Sequence, residues 1–244
     1  MGVELTVLGC SGSYGAPPFG ACSGYLLRGG GATVWVDCGN GTLPHLQEHA
    51  AIDEVDALVI THQHPDHCAD IYGLHVVMRY GVRRAGLPLF APEGLEERLG
   101  GVVDSWGDAF DWKVVGDGDG VEIGDMALRF ARTDHPPPTY AVELRADGKR
   151  LVYTADTGPG WTVDAFGAGA DLVLSEATYQ EGHKGVPWHL TAREAGLAAR
   201  EAKASRLMLT HIWPAFDPAL SAVEGSEAFG EPAVLAKPHL VTRV

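Results

Sequence analysis

The chain has 244 residues, 45% of them hydrophobic, which is enough to bury the core of one large domain. Its 18 Lys and Arg residues against 32 Asp and Glu residues give a formal net charge of −14, which argues against a broad basic surface for extended nucleic acid. No signal peptide or membrane span is predicted, and the four cysteines lack a zinc-knuckle or disulfide spacing, so we expect a cytoplasmic protein with reduced thiols.

The first sixty residues read mainly as short strands. The predicted elements are, in order, a strand over 4–8, a glycine-rich loop over 9–15, strands over 25–27 and 34–37, a helix over 42–50 and a strand over 57–60. The glycine-rich loop lacks the GxxxxGK[ST] pattern, and strands follow it where a phosphate-binding loop would need a helix. The sequence therefore argues against a P-loop.

The rest of the chain alternates strands and helices. The predicted elements are a buried helix over 71–78, a strand over 87–91, a helix over 93–99, a turn over 116–120, strands over 126–131, 140–144, 151–154 and 172–179, a helix over 191–203, a strand over 206–210, a helix over 218–229 and a strand over 239–242. The turn at 116–120 resembles a calcium loop only superficially, because no glutamate closes the pattern. It is the most visible internal break.

Four potential metal ligands directly follow the strand predicted at 57–60. They are His62, His64, Asp66 and His67. Three imidazoles and a carboxylate within six residues are typical of a metal site. We interpret this stretch as half of a two-metal site.

Three further residues repeat the pattern of a strand followed by a ligand. His135, Asp156 and His211 each come just after a predicted strand, so their side chains can converge with the first group along one sheet edge. Seven nitrogen and oxygen ligands suit two zinc ions with one bridging carboxylate and an open position on each metal. An open position indicates catalysis, because structural zinc sites are closed by four protein ligands, commonly with cysteine.

The HxHxDH motif at 62–67, together with His135, Asp156 and His211 in that order, resembles the metallo-β-lactamase superfamily. The resemblance covers nearly the whole chain. It implies an α/β fold of the four-layer αββα sandwich type, with residues 1–244 as one domain whose two halves meet near 116–125. It also implies the following ligands: His62, His64 and His135 for a first zinc, Asp66, His67 and His211 for a second, and Asp156 as the bridge.

Within this superfamily, the chain is most similar to the phosphodiesterase branch that contains ribonuclease Z and atypical bacterial cyclic-nucleotide phosphodiesterases. The matching segments are 8–13, 153–157, 176–178, His189 and 209–211. Ser175 stands where ribonuclease Z has a histidine, and Pro65 where it has small residues. Ribonuclease Z also holds tRNA with a long arm between the counterparts of His135 and Asp156, where this chain has only the 20 residues 136–155.

These likenesses imply a dinuclear zinc phosphodiesterase with two Zn²⁺ per chain, or Mn²⁺ in their place. Zinc lowers the pKa of bound water from 15.7 to about 7, so a bridging hydroxide could attack phosphorus. His189 is the candidate general acid for the leaving alkoxide, and Glu176 would orient its ring. Asp66 could also steer the proton of the nucleophile. The expected substrate is a small nucleotide phosphodiester, a class that includes cyclic nucleotides.

Three alternatives stay open at this point. The chain could be a tRNA 3′-processing endoribonuclease, a thioester or lactone hydrolase of the same fold, or a metal-binding scaffold without turnover. A small phosphodiester or nucleotide is favoured as partner over extended nucleic acid, no membrane partner is expected, and a homodimer is a candidate assembly.

Several residues near the motifs have two interpretations. Arg79, Arg83 and Arg84 could guide an anionic substrate, although a solvated helix end favoured by the helix dipole is the simpler interpretation. Cys68 adjoins the histidines, but the seven ligands already complete the site, which favours a small buried residue. The aromatic residues Tyr14, Trp188 and Trp213 could stack on a base or simply pack.

Overall fold

The computed structural model describes residues 2–244, and its strands form two seven-stranded mixed sheets. The first sheet contains β1 (Glu4–Gly9), β2 (Gly24–Gly29), β3 (Ala32–Val36), β4 (Ala57–Val59), β5 (Leu87–Ala91), β6 (Phe110–Val114) and, at one edge, β14 (Val241–Arg243). The second contains β7 (Gly120–Ile123), β8 (Met126–Arg132), β9 (Tyr140–Ala146), β10 (Lys149–Tyr153), β11 (Leu172–Glu176), β12 (Leu207–Thr210) and β13 (Val234–Leu235). The strand orders are β14-β1-β2-β3-β4-β5-β6 and β13-β12-β11-β10-β9-β8-β7.

Helices cover the outer faces of both sheets. They are α1 (Thr42–His49), α2 (Pro65–Cys68), α3 (Ile71–Val76) with a π-helical turn at Val77–Gly81, α4 (Leu95–Gly100), α5 (Ala192–Glu201) and α6 (Pro218–Phe229). Side chains alternate between the two faces of each strand, so in β3 Val34 and Val36 enter the core between the sheets. Trp35 between them packs under α1 and α3 instead. The predicted four-layer αββα sandwich is confirmed.

The fold brings the carboxyl ends of several strands to one edge of the sandwich. Strands β3 to β6 are parallel, and so are β10 to β13. Strand β8 is antiparallel to β9, which is antiparallel to β10, so β8 runs in the same direction as β10. The segments that follow β4, β8, β10, β11 and β12 are the ones that carry the predicted site residues.

Most predicted elements occur with small shifts in their ends. The predicted elements lack the two-residue β13, and they also lack β6, although Phe110, Trp112 and Val114 alternate with Asp111 and Lys113 as in a half-buried strand. The predicted helix over 71–78 continues through its π-helical turn to Gly81, and the strand predicted over 172–179 ends at Glu176.

The chain passes from the first sheet to the second between β6 and β7, across the predicted junction at 116–125. The assignment of one domain with two related halves stays a prediction. Within residues 2–244, no helix has the combination of length and apolar character that crossing a bilayer would require.

Candidate metal centre

The first group of imidazoles lies where β4 ends. His62 and His64 follow this strand, and His135 arrives from the end of β8 in the other sheet. His62 Nε2 lies 3.1 Å from His64 Nδ1, and His135 Nε2 lies 3.2 Å from the same His64 atom. Three nitrogen atoms from both sheets therefore converge on one point.

A second group gathers beside the first. Pro65 opens α2, where a missing backbone N–H costs nothing, and this short helix presents Asp66 and His67. His211 reaches them from the end of β12, with its Nε2 3.1 Å from Asp66 Oδ2. Burial opposes ionisation of Asp66, but His67 and His211 outweigh it and hold the pKa of this carboxyl below its usual range.

Asp156 lies between the two groups and offers one carboxylate oxygen to each. Its Oδ2 is 3.6 Å from His62 Nε2 and 4.0 Å from His135 Nε2. Its Oδ1 is 3.2 Å from His67 Nε2 and 3.5 Å from His211 Nε2. Burial disfavours the charge, but His211 and His67 hold the pKa of Asp156 well below its usual range. This arrangement suits a carboxylate shared by two cations.

Hydrogen bonds behind the rings fix which nitrogen of each histidine faces this carboxylate. Asp37 is fully buried just after β3, and its Oδ2 accepts from His67 Nδ1 at 2.8 Å. Thr61 donates its hydroxyl to Asp37 at 3.0 Å, which leaves the Thr61 oxygen to accept from His62 Nδ1 at 3.1 Å. His67 and His62 therefore both donate through Nδ1 and turn Nε2, the nitrogen whose lone pair a metal would take, to the centre.

The other two rings that face the carboxylate are fixed in the same way. His135 Nδ1 donates to the Trp188 carbonyl at 2.9 Å. Thr178 donates its hydroxyl to Glu176 at 2.8 Å, so the Thr178 oxygen accepts from His211 Nδ1 at 2.8 Å. Nε2 is again the nitrogen that keeps its lone pair in His135 and in His211.

These lone pairs and the central carboxylate form a donor set that a metal cation suits. Two of the facing atoms, His67 Nε2 and Asp156 Oδ1, are buried without a hydrogen-bond partner among residues 2–244. Burying a polar atom without a partner costs free energy of folding, and a bound metal ion would remove that cost. Imidazole nitrogens and carboxylate oxygens are ligands that zinc accepts. The ligand atoms form two groups, each within 4.8 Å of one another: His62, His64, His135 and Asp156 in one, and Asp66, His67, Asp156 and His211 in the other.

One more histidine lies at this centre, against a buried carboxylate. The side chain of His189 is 17% exposed, and its Nδ1 is 3.0 Å from Glu176 Oε1. Glu176 also accepts from the backbone N–H groups of Thr157 and Leu190, at 2.8 and 3.2 Å, which fixes its orientation. Burial alone lowers the pKa of His189, but Glu176 and then Asp156 raise it to about 9. The ring can therefore hold a proton at neutral pH.

The structure brings every residue predicted for the site to this one place. The nine residues are His62, His64, Asp66, His67, His135, Asp156, Glu176, His189 and His211. Cys68 is buried beside them, but its thiol lies 3.2 Å from the His64 carbonyl oxygen, and burial raises its pKa to about 12. A neutral thiol turned to the backbone fits a packing role.

The arginines after α3 point elsewhere. Arg84 donates to the Ile52 carbonyl at 2.6 Å, and the Arg79 guanidinium lies 5.5 Å from the centre of the Tyr80 ring. Across residues 2–244, neither these two nor Arg83 forms a hydrogen bond or ion pair with the histidine cluster. The interpretation as a solvated helix end is the one that the contacts favour.

The sequence reasoning missed the residues that orient the rings. Asp37, Thr61 and Thr178 were not singled out, and Trp188 contributes its backbone carbonyl rather than its ring, which is 53% exposed. Asp37 carries a usable signal, because it comes directly after a strand, as the predicted ligands do. The two threonines carry none, because hydroxyl residues are common at strand ends.

Comparison with known proteins agrees with this geometry. A family model described as the beta-lactamase superfamily domain matches residues 32–212, which is most of the chain and includes all nine site residues. The chain belongs to the beta-lactamase superfamily.

Relatives of this superfamily member span nearly its whole length. It is 38% identical over 224 residues to an uncharacterized protein of Mycobacterium leprae, covering 87% of this chain and 78% of that protein. It is 31% identical over 218 residues to the probable metallo-hydrolase YhfI of Bacillus subtilis, covering 86% and 87%. The crystal structure of YhfI matches with a TM-score of 0.89 at 27% identity, over 99% of both chains. This chain is also 28% identical over 250 residues to ribonuclease Z of Mycobacterium bovis, covering 88% of each protein. The chain thus combines membership of this superfamily with a His/Asp cluster whose ligand atoms lie close enough together to hold a metal ion.

Asp37 offers a direct test of how the rings are oriented. Asp37→Asn puts an amide where the carboxylate accepts from His67 Nδ1, so we expect about 10- to 100-fold weaker zinc binding. Competition with a chromophoric chelator measures this affinity. The matched control is Asp53→Asn, which changes an exposed carboxylate. Equal affinity in the two variants would show that Asp37 does not prepare the cluster for metal.

Proposed function

We propose that the chain is a dinuclear zinc phosphodiesterase that acts on small nucleotide diesters. The observation that carries the proposal is the orientation of the rings, because hydrogen bonds from outside aim four Nε2 lone pairs at the two oxygens of Asp156. A histidine that can hold a proton lies at the edge of the same centre, in contact with Glu176. Together these features supply ligands and a general acid.

The proposed ligands divide into two sets with one shared member. The first metal is assigned to His62, His64 and His135, the second to Asp66, His67 and His211, and Asp156 to both. Bound zinc would supply a nucleophile from water at neutral pH and positive charge for the phosphoryl oxygens, and Mn²⁺ could take its place.

His189 is proposed to protonate the departing alkoxide. Its Nδ1 donates to Glu176 Oε1, which leaves Nε2–H as the group that can give a proton to a substrate oxygen. Glu176 is held by backbone N–H groups and cannot rotate away, so it orients the ring and favours the protonated imidazole. Asp66 could steer the proton of the attacking water.

Two observations favour a small substrate over tRNA. Between His135 and Asp156 the chain forms only the hairpin of β9 and β10, with no protruding arm. The net charge of −14 opposes binding along a nucleic-acid backbone. The likeness to ribonuclease Z supports phosphodiester chemistry and keeps tRNA 3′-end processing as the second candidate. The four cysteines are free and buried, which fits the proposed cytoplasmic location.

The experiment that tests the proposal compares two ester classes. Zinc-loaded protein is assayed with bis(p-nitrophenyl) phosphate and with a simple thioester. We expect hydrolysis of the diester. Cleavage of the thioester alone would contradict the phosphodiesterase assignment and favour a thioester or lactone hydrolase, whereas a zinc-loaded protein inert to both would be a metal-binding scaffold.

The pH dependence of the activity tests the role of Glu176. A general acid works only when protonated, so activity should fall as the pH rises through the pKa of His189. Burial lowers this pKa, and Glu176 is the main group that raises it. Bound zinc ions would lower it as well, because like charges disfavour the imidazolium. With a cyclic nucleotide as substrate, whose alkoxide leaving group needs the proton, Glu176→Gln should therefore move the alkaline limb of kcat/KM to lower pH by about 1 to 3 units.

The control for this shift is Glu122→Gln, which changes an exposed carboxylate in β7. Its alkaline limb should match that of the unmodified protein. An alkaline limb that stays in place in Glu176→Gln would remove Glu176 from the proposed acid pair.

A further inference from the structure

Two partly exposed aromatic rings form a corner next to the metal centre. The ring centres of Tyr14 and Trp213 are 5.7 Å apart, and their planes are nearly perpendicular at 86°. Tyr14 is 46% exposed and Trp213 is half-buried, so each ring has a surface open to solvent. A flat aromatic molecule could lie on one ring face while its edge meets the other, which is a favourable arrangement for both contacts.

Backbone pairing ties this corner to the proposed metal ligands. The Ser13 N–H donates to Asp66 Oδ2 at 3.0 Å, which places Tyr14 one residue from a ligand contact. Trp213 follows His211 by two residues, and its N–H donates to the Thr178 carbonyl at 3.1 Å. Both rings are therefore attached to segments that touch the centre.

The glycine-rich loop that precedes Tyr14 packs closely against the segment that carries Trp213. Gly12 N–H donates to the Ile212 carbonyl at 3.0 Å, and Ser11 pairs with Ile212 as an isolated bridge. A Cβ on Gly12 would lie 2.5 Å from the His211 carbonyl oxygen, so only glycine allows the loop to approach this closely. This close approach places Tyr14 against Trp213.

A third ring connects the corner to the general acid. Tyr179 lies 6.4 Å from Trp213 with a 17° angle between the planes, and 6.0 Å from His189. Phe216 packs against Tyr179 from another side, at 6.1 Å. The rings thus form a continuous aromatic surface that runs from His189 to the corner and is held in place by packing.

The negative net charge of the chain disfavours electrostatic contacts to a nucleotide. The net charge is −14, and Arg84 donates to the Ile52 carbonyl, so contacts from the protein to the non-reacting part of a substrate are best made without charge. Stacking on an aromatic ring is such a contact, because every nucleobase has a π-face.

We propose that Tyr14 and Trp213 stack on the nucleobase of a nucleotide diester whose phosphate lies at the His/Asp cluster. This assignment rests on the proposed phosphodiesterase function. It makes the two rings specificity determinants, since they favour diesters that carry a base over equally reactive diesters that do not.

The test compares two substrates with the same leaving group. Thymidine 5′-(p-nitrophenyl phosphate) carries a base, and methyl p-nitrophenyl phosphate does not. Stacking contributes about 1–3 kcal/mol per base, so Trp213→Leu in the zinc-loaded protein should lower kcat/KM for the thymidine ester about 5- to 150-fold. Its kcat/KM for the methyl ester should stay within about twofold, and Trp213→Phe should restore most of the preference for the thymidine ester.

Two further variants provide a second test of stacking and a control. Tyr14→Leu changes an exposed ring and should give a smaller loss in the same direction, even if Trp213→Leu fails to fold. Trp112→Leu removes a tryptophan that packs against Trp106 and Phe110, away from the cluster, and should leave the substrate ratio unchanged.

The possible failures separate the two proposals. If neither ester is cleaved by the zinc-loaded protein, the phosphodiesterase function is wrong and the stacking proposal falls with it. If both esters are cleaved, but Trp213→Leu and Tyr14→Leu keep the ratio of the unmodified protein, the function stands and the stacking site is refuted.

Discussion

Replacing Asp156 with asparagine should abolish both tight metal binding and diester hydrolysis. The two oxygens of this carboxylate face the two groups of imidazoles, so a neutral amide removes a negative ligand from both sites at once. Metal ions contribute several kcal/mol to such reactions, which corresponds to a loss of kcat/KM of about 10³-fold or more. Zinc content by mass spectrometry and hydrolysis of bis(p-nitrophenyl) phosphate measure the two effects.

The control is the same substitution at Asp164, an exposed residue beyond the cluster. Asp164→Asn should keep its zinc and its activity. An Asp156→Asn variant that retains two zinc ions with full activity would show that the carboxylate does not serve the metals, and the proposed ligand set would then be wrong.

The second large effect is expected for His189→Ala, and its size should depend on the leaving group. A cyclic nucleotide releases an alkoxide, which needs a proton, so removal of the acid should cost about 10²- to 10⁴-fold in kcat. The p-nitrophenolate released from bis(p-nitrophenyl) phosphate is a weak base that departs without help. Hydrolysis of this ester should therefore fall far less. The zinc content of the variant should be unchanged.

The losses that His189→Ala causes with the two substrates distinguish a general acid from a residue that shapes the site. Equal losses for both would indicate that His189 shapes the site or the metals and does not donate a proton. No loss for either would remove His189 from the mechanism.

Local signals were sufficient to predict much of the fold. Asp217 caps α6 by accepting from the Ala219 N–H at 2.9 Å, Pro218 opens that helix, and Gly230 ends it in the left-handed conformation. Each of these residues has a known positional preference, so the helix over 218–229 was predicted at its observed ends. Strand β6 also has a local signal, because Phe110, Trp112 and Val114 alternate with Asp111 and Lys113, so its omission is an error of the prediction and not a limit of the sequence.

Local signals also predicted the proposed metal ligands, but they did not predict the residues that orient the histidine rings. His62, His135 and His211 each follow an apolar strand, and strands of one direction end at the same edge of a sheet. The partners behind the rings depend on which strands become neighbours. Asp37 and His67 are 30 residues apart, and Thr178 and His211 are 33 apart. No local pattern encodes these separations, so only the folded chain shows which nitrogen of each ring is free.

The most direct test of the central claim is a titration of metal-stripped protein with Zn²⁺, followed by both metal stoichiometry and bis(p-nitrophenyl) phosphate hydrolysis. The proposed ligand sets predict two ions bound per chain, with hydrolysis reaching its maximum only when the second site fills. A chain that binds no zinc, or that binds two ions and leaves the diester intact, would contradict the account.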